Sequence, residues 1–552
     1  MTIQPNHVIS RRTFLRSGLT IVGAITMVGC TAAPPAAIQT PTPGAAVTAP
    51  AAAGQAQRGG SLVVATDRDP GQFNPGVTVL TGTHLVTGSL YNGLVQLDRQ
   101  SNPQPDLAES WTTSPDGKTY TFKLASGVVW HDGQPFSSAD VKISFEQVLL
   151  RYHPRSRAGL QPLLDGIDTP DASTVVLRLK HPYAPLMQRL DVVEAPILPG
   201  HLYDGTDVQT NPANVQPVGT GPFKLAEYRK GDAVHLVRND HYFKPNLPYL
   251  DDLTFKVIPE ANTATLAFER GEVDYLYSVA APDVARLTAM PGVVVDSASV
   301  APTNANGLTM LTFNLAKPPF DRVEVRQAFA YAIDRQQILD QARFGRGKVA
   351  TGPIASGLAW AYDANVPHYP HDVAKANQVL DGAGLSRGQD GTRLKVDFPN
   401  ATAFAREGEI IRQNLADVGI NADLKQLEFN AATELVFVKH AFDIGVWGFS
   451  NGSDPDIGVP QAYLSSNIKP VPFSNVGYAN PHVDDLFAQA AAASSRDERL
   501  RLYTDIQETL VREVPYVWLY ENEGLRAYKG SLHDIGPWSG NPAERAWRDR
   551  AG

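Results

Sequence analysis

The chain has 552 residues, 43% hydrophobic and 19% charged, which is enough apolar material for large cores and a length of roughly three to four domain-sized units. Setting aside the first 29 residues, which carry Arg11, Arg12 and Arg16 but no acid, leaves 45 basic against 57 acidic residues, a net charge of −12 that repels phosphate and argues against a nucleic-acid partner. The single cysteine, Cys30, excludes an intrachain disulfide, a cysteine-based metal site and a redox pair.

In chain order, the first element is a targeting segment. Ser10-Arg11-Arg12-Thr13-Phe14-Leu15-Arg16 is a twin-arginine pattern, and an uncharged stretch runs from Gly18 to Gly29. It is too short to cross a bilayer, where about 20 residues are needed, so it has the form of a signal h-region. Met27-Val28-Gly29-Cys30 looks like a lipobox, making residues 1–29 a cleaved signal peptide and Cys30 the lipidation site that anchors the chain outside the bacterial cell membrane. A plainly cleaved signal with an incidental cysteine is the alternative, as Sec export is to the twin-arginine route. Residues 30–58 then form an Ala/Pro/Thr-rich tether, since Thr31 to Gln57 contains no charged residue and cannot build a core.

The folded body is expected to start at Gly59, with a short strand at Ser61 to Ala65 and a loop from Asp67 to Pro75 that carries Asp69, Gln72 and Phe73. By its residues this loop is a Pro/Gly turn. A helix is predicted from His84 to Leu94. In the stretch from Pro105 to Glu146, Tyr120, Phe122 and Leu124 alternate with polar neighbours as in a half-buried strand, between the turns Ser114-Pro115-Asp116-Gly117 and Trp130-His131-Asp132-Gly133. Ser137 and Asp140 have capping-box spacing ahead of a helix whose Val141, Phe145, Val148 and Leu149 share a face. Strands are predicted at Thr174 to Leu179, Ala233 to Arg238, Leu253 to Ile258, Leu308 to Asn314, Asp423 to Phe429 and Phe442 to Phe449. Helices are predicted at Ala261 to Arg270, Val373 to Leu380, Arg406 to Val418 and His482 to Val511. Alternating strands and helices without a strict repeat argue for mixed α/β lobes.

Several of these runs together carry a resemblance. L-A-E-S-W at Leu107 to Trp111, D-G-K-T-Y-T-F at Asp116 to Phe122, W-H-D-G-Q-P-F-S-S-A-D-V at Trp130 to Val141, P-V-G-T-G-P-F at Pro217 to Phe223, R-N-D-H-Y-F at Arg238 to Phe243 and T-F-N-L-A-K-P-P-F-D-R-V-E-V-R-Q-A-F-A-Y-A-I-D-R at Thr312 to Arg335 occur in one order. The chain from about Gly59 onward thereby resembles the extracytoplasmic solute-binding proteins of the peptide/nickel class of ABC importers. The resemblance implies an α/β, two-lobed periplasmic-binding-protein-like fold of type II with a hinge of two crossing strands. Residues 59–310 and 515–552 would form the first lobe and 311–514 the second, with Pro515 to Tyr520 as the return crossing. It also implies a monomeric binding protein without catalysis or cofactor, which captures a peptide or similar oligomeric solute and delivers it to a permease.

The resemblance makes the Asp69 loop face ligand and the strand ending at Trp447-Gly448-Phe449-Ser450 pair with a ligand backbone. Peptide-binding relatives follow this strand with an Asp that neutralises the ligand's α-amino group. Ser450 stands at that position here, and Asn451 and then Asp454 come after it. A hydroxyl cannot stabilise a buried ammonium as a carboxylate would. Either Asp454 serves through a shifted loop, or the ligand lacks a free amine and is a sugar, a modified peptide, a metal chelate or another solute. By residue type alone, Asp454-Pro455-Asp456 is also a turn. Trp447, Trp518 and Tyr520 are candidate aromatic walls, with core positions as the alternative. Gly448-Phe449-Ser450-Asn451-Gly452 also satisfies the G-x-S-x-G elbow of serine hydrolases, with His482 and His533 as nominal partners, but Ser453 to Pro460 reads as loop where an elbow needs a helix. His131-Asp132 and Gly219-Thr220-Gly221 read as scaffold, and no metal-ligand spacing occurs among the 13 histidines.

Overall fold

The computed structural model describes residues 56–98, 100–297, 306–471, 473–536 and 542–549. The signal segment, Cys30 and all of the tether but its last three residues lie outside them. From Ser61 onward the described chain forms two lobes, each built on its own sheet.

The first lobe centres on Ser61–Thr66, which runs parallel to Asp252–Val257 on one side and Tyr275–Leu276 on the other. Seven strands make this sheet, with Ala233–Arg238 and Phe223–Arg229 beyond Asp252–Val257, and Leu525–Lys529 and Val293–Ser297 at the opposite edge. The central strand is apolar on both faces because both are covered: Leu62 and Val64 enter one core, Val63 and Ala65 another. A second, antiparallel sheet of Ala108–Thr113, Thr119–Leu124, Thr174–Leu179 and Leu164–Asp171 has a core of its own around Phe122, Trp130, Phe145 and Leu177. Its helix starts as the spacing of Ser137 and Asp140 predicts, with the Ser137 N–H donating to the Asp140 carboxylate at 2.8 Å. It continues from Ser138–Ile143 into a wider π turn at Ser144–Leu149.

The Trp130-His131-Asp132-Gly133 turn and the Pro217 to Phe223 motif interlock. A Cβ on Gly219 would stand 1.8 Å from the Leu90 carbonyl oxygen, so only glycine lets these backbones meet. The Gly219 N–H donates to His131 Nδ1 at 3.1 Å, leaving Nε2 as the protonated nitrogen that faces the Gly221 carbonyl at 3.0 Å. Burial holds the His131 pKa down to about 4, which keeps the ring in this neutral, bridging form.

The second lobe is built on a sheet in the order Lys348–Val349, Tyr516–Glu521, Gly307–Phe313, Ile444–Ser450. Leu394–Ala401 and Ile420–Leu427 pair in parallel beside it, joined by the helix Ala405–Asp417. Ile410, Ile411, Leu415 and Val418 pack this helix into the core, and Gly419, at φ +82°, releases the chain into the next strand.

Four expectations shift. The helix predicted from His84 to Leu94 is Thr81–Thr87, after which Gly88 to Leu90 turn to meet Gly219 and Gly221. The helix predicted from His482 to Val511 is two, Pro481–Ala492 and Arg496–Glu513, because Ser495 caps the second by accepting from the Glu498 N–H. Ser453 to Pro460 contains a helical turn, Pro455–Gly458, and a second begins at Pro460. The proposed lobe limits at 310/311 and 514/515 cut into or just ahead of second-lobe strands, since Gly307–Phe313 and Tyr516–Glu521 pair within that sheet along their lengths. The return passage is therefore Asn522–Gly524, between Tyr516–Glu521 of one sheet and Leu525–Lys529 of the other. The outward passage falls between Ser297 and Gly307, and residues 298–305 of it lie outside those described.

Candidate functional site

A cleft of about 1010 Å³ opens between the lobes. Arg68, Thr81 and Tyr277 to Val279 face it from the first lobe, while Asn306, Gly307 and Glu521 to Leu525, at the two passages, form its floor. The second lobe supplies the loop Arg343 to Lys348, Ala355 to Gly357, Phe404, and an aromatic end made by Phe429, Trp447, Phe449 and Phe473. Its size is at the upper end of the range that encloses small ligands, about 300–1,000 Å³.

Ile444–Ser450 is the edge strand of the second-lobe sheet and pairs only with Gly307–Phe313 among the described strands. Its last four residues, Trp447 to Ser450, border the cleft, so the site is lined by strand edge as well as by side chains. The Trp447 ring packs edge-on against Phe437 and Phe429, with centroids 5.0 and 5.6 Å apart, and lies 6.2 Å from Phe473. Its indole N–H is buried on the side of Gly445 without a hydrogen-bond partner among the described residues. The Ser450 hydroxyl accepts from the Gly452 N–H at 3.2 Å.

Of the residues singled out from sequence, Trp447 and Ser450 line the cleft; the others are held elsewhere. Asn451 is buried, its Oδ1 accepting from the Ala355 N–H at 2.7 Å and its Nδ2 donating to the Pro353 carbonyl, so it anchors a neighbouring cleft loop. Asp454 is buried and bidentate on Arg499, at 2.6 and 2.8 Å, and its Oδ1 also caps the next helical turn through the Asp456 N–H. A carboxylate committed in this way is not a free partner for a ligand ammonium. Asp69 accepts from the Tyr228 hydroxyl and the Gly231 and Gly71 N–H groups. Burial alone would raise its pKa, but these three donors outweigh it and leave it lowered. Gln72 braces the Asn74 backbone through both ends of its amide, and Phe73 is buried edge-on to Tyr228. Within that loop it is Arg68 that reaches the cleft.

Trp518 and Tyr520 are core. The Trp518 indole donates to the Tyr463 hydroxyl at 2.9 Å, and the residue borders a separate small cavity of about 260 Å³. Tyr520 donates to Glu407 at 2.9 Å beneath the Arg343 guanidinium. The Ser450 elbow lacks its helix: Asn451 to Asp454 intervene before Pro455–Gly458. Sequence reasoning missed the loop Arg343-Phe344-Gly345-Arg346-Gly347-Lys348, although three cations and two glycines in six residues of an acidic chain are a signal of a backbone-shaped basic site.

The lobes also touch away from the cleft. Asp456, at the start of the Pro455–Gly458 turn, hydrogen-bonds Tyr183 of the first lobe and lies beside Arg189, whose Nε donates to the same tyrosine at 2.7 Å. A second depression, of about 860 Å³, lies among Lys395, Asp397, Glu409, Arg412 and Asp423, entirely on the second lobe, so relative motion of the lobes would not enclose a ligand there. Among the described residues no cluster of three or more His, Cys, Asp or Glu could hold a metal ion, and no helix is long and apolar enough to cross a membrane.

Two α/β lobes joined by two passages around a cleft bordered by an edge strand define a two-lobed binding protein of type II. The chain matches the model of the bacterial extracellular solute-binding proteins, family 5 (middle), over residues 102–470, and it belongs to that family. It is 29% identical over 461 residues to the glutathione-binding protein GsiB of Escherichia coli K12, covering 82% of this chain and 87% of that protein. It is 28% identical over 515 residues to the oligopeptide-binding protein AppA of Bacillus subtilis 168, covering 88% and 92%. The structure of the B. subtilis AppA with a nonapeptide superposes with a TM-score of 0.75 at 27% identity, over 90% of this chain and all of that one. That of AgaA from A. tumefacien R10, in complex with agropinic acid, superposes at 0.74 and 27% identity over 89% and 99%. These relatives are binding proteins, and the chain is a solute-binding protein of the kind that serves ABC importers.

Proposed function

We propose that the protein is the lipid-anchored, monomeric capture component of an ABC importer, taking a peptide or peptide-sized solute between its lobes and delivering it to the membrane permease. The observation that carries this reading is the cleft itself, bounded by both lobes and lined by the edge strand Ile444–Ser450, whose backbone can pair with an extended ligand whatever its side chains. Capture works by population shift: a solute that touches both walls only when the lobes approach stabilises the closed form by that difference in affinity. The permease then reads the closed form, and no bond of the solute is broken. GsiB binds glutathione and AppA oligopeptides by name, which supports a peptide class here. A second reading, a non-peptide solute such as an oligosaccharide or metal chelate, is favoured by Ser450 standing where an amine-binding carboxylate is expected.

Mass spectrometry of solute released from natively purified protein tests the reading. Peptides are expected; release of an oligosaccharide would select the second reading, and a cleft that never retains any solute would refute capture. Anchoring rests on the Met27-Val28-Gly29-Cys30 sequence. A fatty-acid probe should label the wild type and not Cys30→Ser, and equal labelling would end that part of the proposal.

A further inference from the structure

The cleft is basic although the protein is acidic. Among the described residues four cations line it, Arg68 from the first lobe and Arg343, Arg346 and Lys348 from the second, against two acids, Glu521 and Glu523. One of those acids is engaged: Glu521 accepts from the Ser356 N–H at 3.0 Å and from its hydroxyl at 2.6 Å. The three second-lobe cations sit on one loop whose shape is fixed by its backbone. Phe344, Gly345 and Gly347 have φ of 55°, 73° and 97°, and a Cβ on Gly347 would stand 2.5 Å from the Glu521 carbonyl oxygen, so the loop is pressed onto the cleft floor.

Two of these cations are unanswered. Arg343 lies over the Tyr520 ring at 5.4 Å, its Nε buried without a hydrogen-bond partner, and Arg346 makes no ion pair or side-chain hydrogen bond among the described residues. Lys348 reaches the Ser356 hydroxyl at 3.2 Å and no other side chain among the described residues. Neither Asp454, locked on Arg499, nor the neutral Ser450 is a carboxylate counterpart for a ligand cation, so among the described cleft residues Glu523 is the acid left to meet one.

Building on the capture reading above, we propose that the cleft selects acidic solutes: a carboxylate docks on Arg343 and Arg346, a second meets Arg68 across the cleft or Lys348 on the same loop, and no free α-amine is required. The planar guanidinium fork matches a carboxylate in two parallel hydrogen bonds, and an enclosed cleft weakens solvent screening. The ligand class is a short peptide or peptide-like acid bearing at least two carboxylates.

Titration calorimetry on solute-free protein with length-matched probes tests this: Glu-Ala-Glu, its N-acetyl form, and Ala-Ala-Ala and Lys-Ala-Lys, both as C-terminal amides that carry no carboxylate. The acidic probes should bind at least about tenfold more tightly than Ala-Ala-Ala, and acetylation should change affinity by less than about threefold. Arg346→Gln, on a half-exposed side chain, and Arg343→Gln should each weaken the acidic probes by about tenfold to a hundredfold while leaving Ala-Ala-Ala within about threefold. Added salt should weaken the acidic probes alone. Equal binding of Ala-Ala-Ala, loss of binding on acetylation, unchanged affinity in both variants, or no saturable binding of either acidic probe would each overturn the proposal. Capture itself would still be judged separately, by whether natively purified protein carries a solute.

Discussion

Replacing Asp454 by asparagine removes the negative charge from a pair that solvent barely reaches, the two side chains being 3% and 9% exposed. Arg499 spends one donor on the Ala490 carbonyl and shares another with the Tyr503 hydroxyl, and its guanidinium lies 4.9 Å over the Trp360 ring, so it has no path to water once its carboxylate partner is gone. An uncompensated buried guanidinium costs about 3–5 kcal/mol, which for a lobe of roughly 200 residues corresponds to a fall in Tm of about 6–20 °C. Asparagine keeps the acceptor for the Asp456 N–H, so lost capping contributes little. Replacing both partners, Asp454→Leu with Arg499→Met, should recover most of the stability, because a well-packed apolar pair of similar volume is often neutral against a buried ion pair. Thermal and urea unfolding followed by circular dichroism, with solute binding on the same samples, checks the argument. A variant Asp454→Asn that unfolds like the wild type yet no longer binds solute would refute it and make Asp454 the ligand's amine partner after all.

Three further outcomes are expected. Gly219→Ala should cost about 3 kcal/mol or more, because a methyl group 1.8 Å from the Leu90 carbonyl forces two backbones apart; an unchanged urea midpoint would show that the contact relaxes freely. Trp447→Ala should cost about 3–5 kcal/mol by emptying the box formed with Phe429, Phe437 and Phe473, and should also weaken solute binding; unaltered affinity by calorimetry would remove Trp447 from the binding wall. Burial, reinforced by the nearby Arg155 charge, lowers the His84 pKa from 6.5 to about 4. Its neutral form therefore stabilises the fold above pH 6.5, and that contribution is lost as pH falls toward 4, by about 3 kcal/mol in total. Asp191, raised to about 7 by burial and by Glu194, shifts in the opposite sense across the same range, so the His84 share is read as the difference between wild type and His84→Gln. Parallel stability profiles for the two between pH 7 and 4 would refute it.

The parts of the chain that sequence made legible are those whose local signals agree with their packing. Tyr120, Phe122 and Leu124 alternate because one face of their strand is core, and Ser137 with Asp140 starts a helix because the cap needs only residues three apart. Strand limits near the passages were not legible: Gly307–Phe313 is buried on both faces, so its apolar run carries no mark of where one lobe ends. The site was legible only in part. Trp447 and Ser450 lie on a strand recognisable from its pattern, whereas Trp518 and Tyr520, two strands further in, are aromatic like Trp447 but sit at a different depth in the sheet. Asp454 looked available because its partner, Arg499, is 45 residues away on another helix.

The cross-lobe contact of Asp456 with Tyr183 and Arg189 bears on how much of closure the solute must drive. Moving a two-state equilibrium from 1:99 to 99:1 needs about 5.5 kcal/mol of differential affinity, while a micromolar site offers about 8 kcal/mol in all. A solute held by both walls can therefore supply the shift, but with little to spare if closure had to be driven from a strongly open protein. Asp456 lessens that demand only modestly: burial raises its pKa against the favourable field of Arg189, so much of the attraction is offset by lost hydration. A contact of this kind fixes where the lobes meet more than how firmly they hold, which leaves the closed state dependent on what fills the cleft. On the capture reading proposed above, that dependence would let a permease distinguish loaded from empty protein.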